Sequence, residues 1–191
     1  MNALTAALCK KQAIGFAMYL ASMCAHNQAL TANNEIDLSN NGTVLSQKIY
    51  APMDECYHLS VVFRFDTLAD MKTEGSLAGV SYDQHPACKD RSQYIALTEA
   101  ERAKLGAEIK LKVEAKASKG NHNAKMEFIS WCPNGGGDKA IWRANQGKEG
   151  LCLKKGHYIL TITNLQPFLV PKSNNIFLYL TGNGSQWTSS K

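Results

Sequence analysis

The chain has 191 residues, of which 45% are hydrophobic and 19% are charged. That length holds one domain with extensions rather than two, and the apolar share is enough to bury a core, which excludes a long disordered or coiled-coil protein. The formal net charge of +5 is mild. The lysines alternate with acids, as in Glu108, Lys110, Lys112, Glu114 and Lys116. This is the pattern of a solvated strand face. A nucleic-acid footprint needs basic clusters interleaved with stacking aromatics, so nucleic acid is not an expected partner.

Lys10 and Lys11 precede the apolar run Ala13–Ala21, and small and polar residues follow. A basic start, a short apolar run and a small-residue exit form the secretory pattern, and the run is too short to span a bilayer. Residues 1–25 are therefore read as a signal peptide. Leu20-Ala21-Ser22-Met23-Cys24 resembles a lipoprotein signal, which makes Cys24 the lipidation candidate. Met23 stands where Gly, Ala or Ser normally precedes the cysteine. Ordinary cleavage after Ala25 or Ala32 stays open, as does a buried N-terminal helix of a cytosolic protein. Export places the chain in the periplasm, or on a membrane facing it if Cys24 is lipidated.

Residues 26–42 are rich in Asn, Ala and Ser and read as a tether, with Asn40-Asn41-Gly42 as a turn. Residues 43–183 then read as a β domain and 184–191 as a polar tail. Tyr57, Leu59, Val61, Phe63 and Phe65 alternate with His58, Ser60, Val62 and Arg64, the clearest strand in the chain. Residues 66–92 are polar and turn-rich and form a long connection, a candidate functional loop. A short strand is expected over Tyr94–Leu97. Thr98-Glu99-Ala100-Glu101 is a capping box, so Ala100–Leu105 forms a short helix that Gly106 ends. Ile109–Lys116 is a half-buried strand. Further strands are expected at Lys125–Trp131, Ala140–Ala144, Leu151–Leu153, His157–Leu165 and Ile176–Leu180, with Gly135-Gly136-Gly137-Asp138-Lys139 as a flexible hairpin loop. About eight strands and one short helix predict a mainly β fold, an antiparallel β-sandwich of immunoglobulin-like or jelly-roll-like form.

Beyond the leader, four cysteines remain: Cys56, Cys88, Cys132 and Cys152. An even number in an exported chain implies disulfides, and no clustered C-x-x-C pair suggests zinc. Three pairings are possible. The favoured one joins Cys132 to Cys152 and Cys56 to Cys88.

No catalytic constellation is present: the chain has no G-x-S-x-G, no H-E-x-x-H and no P-loop. The expectation is a protein that is not an enzyme and that needs no cofactor or metal. Candidate partner contacts are Asp83 and His85 in the long connection, Asp138 in the glycine loop, and the tryptophans Trp131 and Trp142. An outward Trp marks a contact surface. Trp131 equally suits the core, together with Ile129.

Ile49-Tyr50-Ala51-Pro52 followed by Tyr57–Phe65, then Ile109–Val113, then Leu153-x-x-Gly156-His157-Tyr158-x-Leu160-x-Ile162, resembles an uncharacterised proteobacterial secreted or lipoprotein β-sandwich domain. The likeness spans residues 43–181. Small exported sandwiches of this kind often serve as immunity proteins beside toxin genes of contact-dependent systems such as type VI secretion. The expectation is thus a periplasmic binding protein that neutralises a toxic effector by occluding it. The alternatives are an envelope structural or small-ligand protein, binding a glycan or lipid, and a hydrolase with an unrecognised site.

Overall fold

The computed structural model describes residues 30–31, 34–78, 85–137, 139–147, 150–168 and 174–182. Among them are ten strands: β1 (Glu35–Ile36), β2 (Gly42–Ala51), β3 (Glu55–Phe65), β4 (Ile109–Ala117), β5 (Ala124–Ser130), β6 (Gly135–Gly137), β7 (Ala140–Ala144), β8 (Leu151–Leu153), β9 (Gly156–Asn164) and β10 (Asn174–Gly182). Three α-helices lie between β3 and β4: α1 (Leu68–Ala78), α2 (Arg91–Ala96) and α3 (Glu99–Leu105), with a 3-10 turn at Pro86–Cys88 ahead of α2.

All strand pairs are antiparallel. The larger sheet runs β1-β10-β3-β7-β6, with β8 also paired to β3; the smaller runs β2-β9-β4-β5. Alternation sends one set of side chains inward from each sheet. From the larger sheet come Tyr57, Leu59, Val61, Phe63, Leu151, Ile176, Leu178 and Leu180. From the smaller come Ile109, Leu111, Val113, Met126, Phe128, Leu160 and Ile162. These form one core between two facing layers, the β-sandwich that the alternation predicts.

Several local expectations are corrected. Residues 34–41 do not tether the domain. Glu35 and Ile36 pair with Phe177 and Ile176, and Leu38 is completely buried. The apolar Ile36 and Leu38 supply the burial that a loose linker lacks. The 66–92 connection is not irregular throughout. Thr67 and Asp70 cap α1 reciprocally: Asp70 N–H donates to Thr67 Oγ1 at 3.1 Å, and Thr67 N–H to Asp70 Oδ2 at 3.0 Å. Tyr94–Leu97 is no strand. Asp90 accepts from Ser92 N–H at 2.8 Å, which starts α2, and this cap outweighs the strand preference of Tyr94 and Ile95. The capping box at Thr98 and Glu101 does form and begins α3. The triple glycine is an edge strand on β7 rather than a plain loop.

The disulfides join Cys56 to Cys152 and Cys88 to Cys132, which overturns the favoured pairing. The reason lies in the ladder. β8 pairs with the start of β3, so Cys152 stands directly opposite Cys56. Cys132, just past β5, meets the 3-10 turn that carries Cys88. In the chain-entropy account, closing a span of 96 residues stabilises by about 4 to 5 kcal/mol.

The inner face of β7 carries an unusual core residue. Arg143 is completely buried. Its guanidinium donates to the Ser130 carbonyl of β5 at 2.7 Å, to Ser130 Oγ at 3.3 Å and to the Ala78 carbonyl at the end of α1 at 3.4 Å. It also lies over the Phe168 ring, 5.7 Å from the centroid. One side chain thus ties both sheets to α1. The C-terminal carbonyl of a helix carries partial negative charge and suits a cation. Burial pulls the Arg143 pKa down to about 9, so it stays charged at neutral pH. Gly75 lets α1 approach the sheet, since a Cβ there would stand 3.2 Å from Ile141 Cδ1.

Two predictions come from this core. Arg143→Ala leaves the Ser130 and Ala78 carbonyls unpaired beside a cavity and should lower stability by about 3 kcal/mol or more in urea unfolding, with Arg143→Lys between it and wild type. Among the described residues the buried Tyr57 hydroxyl has no hydrogen-bond partner. Burial first, then the charge of Glu55, pushes its pKa up to about 12. The folded state therefore holds the proton after the unfolded chain has lost it, and stability falls as pH rises from 10 towards 12. Tyr57→Phe should be neutral or stabilising by about 1 kcal/mol near pH 7 and should flatten that alkaline decline.

Candidate binding surface

The outer faces of the two sheets differ sharply. On the smaller sheet Lys110, Lys112, Glu114 and Lys116 line β4, and Lys125 and Glu127 line β5. Lys112 pairs with Glu114 at 3.0 Å, and Lys110 with Glu108 at 2.8 Å. Such surface pairs contribute little to stability. β4 and β5 are wet and charged here, while Tyr50 of β2 and Ile159 of β9 stand exposed on the same face.

The outer face of the larger sheet is aromatic. The registers place Phe177, Val62, Trp142 and Gly135 in one row across β10, β3, β7 and β6. Tyr179, Ser60 and Ala144 make the next row, and Asn175, Arg64, Ala140 and Gly137 the row on the other side. Val62 breaks the alternation of β3: it faces outward yet is completely buried, in a small cluster with Ala140 and Tyr179 that Trp142 and Phe177 pack against. Trp142 and Tyr179 stand 5.8 Å apart, centroid to centroid. The exposed Arg64 guanidinium lies 5.2 Å above Phe177 and 5.9 Å above Tyr179, and it donates to the Tyr179 hydroxyl at 2.7 Å. Trp142 and Phe177 remain half-buried, and His58 is exposed further along β3. The result is a cation spread over an aromatic floor, a geometry in which both partners keep surface to offer.

Of the residues named from the sequence, the structure places one, Trp142, on this face. Trp131 is no surface contact. It follows the end of β5, turns inward at 5% exposure and donates from Nε1 to the Ala87 carbonyl at 3.1 Å. It packs with Tyr94, Cys88 and Cys132 in a second small core. His85 caps the 3-10 turn, its Nδ1 accepting from Ala87 N–H at 3.2 Å. Asp83, Asp138 and Cys24 lie outside the described residues. Arg64, Phe177 and Tyr179 were not nominated from the sequence. The signal available was the run Val61-Val62-Phe63, in which an apolar residue occupies a position that alternation assigns to solvent.

The second core hangs on Gln146. Its Oε1 accepts from Trp131 N–H at 2.7 Å and Cys132 N–H at 3.1 Å, and its Nε2 donates to the Cys88 carbonyl at 3.2 Å. Asn145 N–H still donates to the Leu59 carbonyl of β3, and the next residue, Gln146, turns away from that edge to hold the disulfide lobe. Among the described residues no group of three His, Cys, Asp or Glu side chains is placed to hold a metal, and no helix is long and apolar enough to cross a membrane. Two disulfides fit an oxidising compartment outside the cytoplasm.

No protein-family model matches the chain, and no curated protein does. Among solved structures, a protein from Sulfurospirillum deleyianum is similar at 19% identity and a TM-score of 0.44, over 78% of this chain and 96% of that one. DesR, a β-glucosidase from Streptomyces venezuelae solved in complex with D-glucose, is similar at 14% identity and a TM-score of 0.24, over 82% of this chain and 11% of that one. At these scores neither bears on what this chain does.

Replacing Gln146 by Leu removes the acceptor for two buried amides. We expect a loss of about 2 kcal/mol in chemical unfolding and a shift of the Trp131 fluorescence towards that of a solvated indole.

Proposed function

We propose that this chain is a non-catalytic periplasmic binding protein that meets a protein partner through the outer face of its larger sheet, and that it acts as an immunity protein by occluding a toxic secreted effector. The observation that carries the reading is the row of Phe177, Val62 and Trp142 with Arg64 laid over Phe177 and Tyr179. Trp, Tyr and Arg dominate the energetics of protein interfaces, clustered at a desolvated centre with neutral contacts around it. A sheet face is also rigid, so little ordering entropy is lost on contact. The periplasmic setting rests on the leader-like residues 10–25 and on the disulfides. The neutralising role rests on analogy with small exported sandwiches.

A second reading, a glycan-binding envelope protein, is favoured by one feature. Gly135 and Gly137 flank the Trp142 edge, and a Cβ on either would meet nothing within 4 Å. A flat open floor beside an indole suits a stacked sugar ring. A thermal-shift screen against soluble oligosaccharides and lipids separates the two readings.

The direct test is titration calorimetry against the product of the neighbouring gene. We expect stoichiometric binding that Trp142→Ala and Arg64→Glu each weaken tenfold or more, while Ile159→Ala on the opposite sheet leaves it unchanged. Absence of binding, together with a deletion strain that shows no self-intoxication, rules the immunity reading out.

A further inference from the structure

The two disulfides sit in contrasting surroundings. Cys88 and Cys132 are both completely buried, enclosed by Trp131, Tyr94, Leu105 and Ala87. Cys152 is exposed and Cys56 half-buried. Their bond lies in an open surface groove lined by Asp54, Glu55, Leu153 and Lys154. A thiol reagent reaches it with no unfolding, whereas the Cys88–Cys132 bond becomes reachable only when its small core opens.

The exposed bond also closes an element with little else to hold its backbone. β8 is three residues long, and its whole ladder on β3 consists of Glu55 opposite Leu153, Cys56 opposite Cys152 and Tyr57 opposite Leu151. Leu151 and Leu153 point into the core, so apolar burial keeps β8 in place for a time after the bond breaks.

We propose that Cys56–Cys152 is a thiol-exchange site, open in the native fold to a dithiol reductant of the kind carried by disulfide oxidoreductases, and that Cys88–Cys132 is a permanent structural bond. In the exchange, one thiolate of the dithiol attacks Cys152 Sγ. The Cys152–Cys56 bond breaks, and Cys56 leaves as a thiolate that takes up a proton. The second thiol of the reagent then attacks the reagent's own sulfur in the mixed disulfide and releases Cys152 as a thiol. Two electrons pass to the protein, and the dithiol ends as a disulfide. The backbone of Gly150 sits beside both Cys56 and His58, since a Cβ there would stand 3.4 Å from Cys56 Cβ and 3.6 Å from His58 Cε1. The exchange site therefore adjoins the end of the aromatic face, but it stands independently of any partner bound there.

The test uses the whole oxidised protein with dithiothreitol in native buffer, quenched over time with iodoacetamide and mapped by peptide mass spectrometry. Label on Cys56 and Cys152 should appear at least about tenfold faster than on Cys88 and Cys132, and added urea should accelerate only the second pair. The double variant Cys56→Ala with Cys152→Ala should keep the β circular dichroism signal and show no fast label. Equal rates for the two pairs, earlier labelling of Cys88 and Cys132, or the same urea dependence for both overturns the proposal.

Discussion

A sheet that is apolar on both faces has to be covered on both. That constraint shapes this molecule. β3 carries Val61, Val62 and Phe63 in succession, all three fully buried. The first and third enter the sandwich core, which any half-buried strand can supply. Val62 points the other way. It stays dry because Trp142 and Phe177 close over it from β7 and β10 and because Ala140 and Tyr179 pack beside it. Burying one valine side chain is worth about 2 kcal/mol. Covering it in this way leaves a row of large rings half in water on the outer surface.

The second layer presents a different surface. Lysines and glutamates line the outer face of β4 and β5, and Tyr50 of β2 and Ile159 of β9 stand singly exposed beside them. The contrast between the faces is what gives the molecule a direction. In the interior, Arg143 binds the end of β5 and the last carbonyl of α1, so the helical segment that follows β3 is held against the sandwich. Gln146 does the same for the α2 side, through the amides of Trp131 and Cys132.

The strand order of magnitude was legible because period-two burial is a local signal. Tyr57–Phe65, Ile109–Ala115 and Tyr158–Ile162 announce themselves residue by residue. The capping box at Thr98 was equally legible, since it needs only two side chains three positions apart. The similar pair Thr67 and Asp70 gives no clear signal because its helix lacks an apolar stripe: along Leu68–Ala78 polar and small residues are mixed on every side. The disulfide pairing was not readable at all. It depends on β7 and β8 sharing one edge of β3, a tertiary fact that spacing does not encode. The aromatic face was half readable. Trp142 stood out as an aromatic, but Arg64 and Tyr179 lie 115 residues apart and meet through the β3–β10 register.

We propose that a partner lands on the outer face of the larger sheet. Carbene footprinting of the chain with and without the neighbouring gene's product measures this directly. Labelling is expected to fall at Arg64, Trp142 and Phe177, with Lys112, Lys125 and Ile159 unaltered. Masking of the lysine-rich sheet, with the tryptophan side labelled as before, would contradict it.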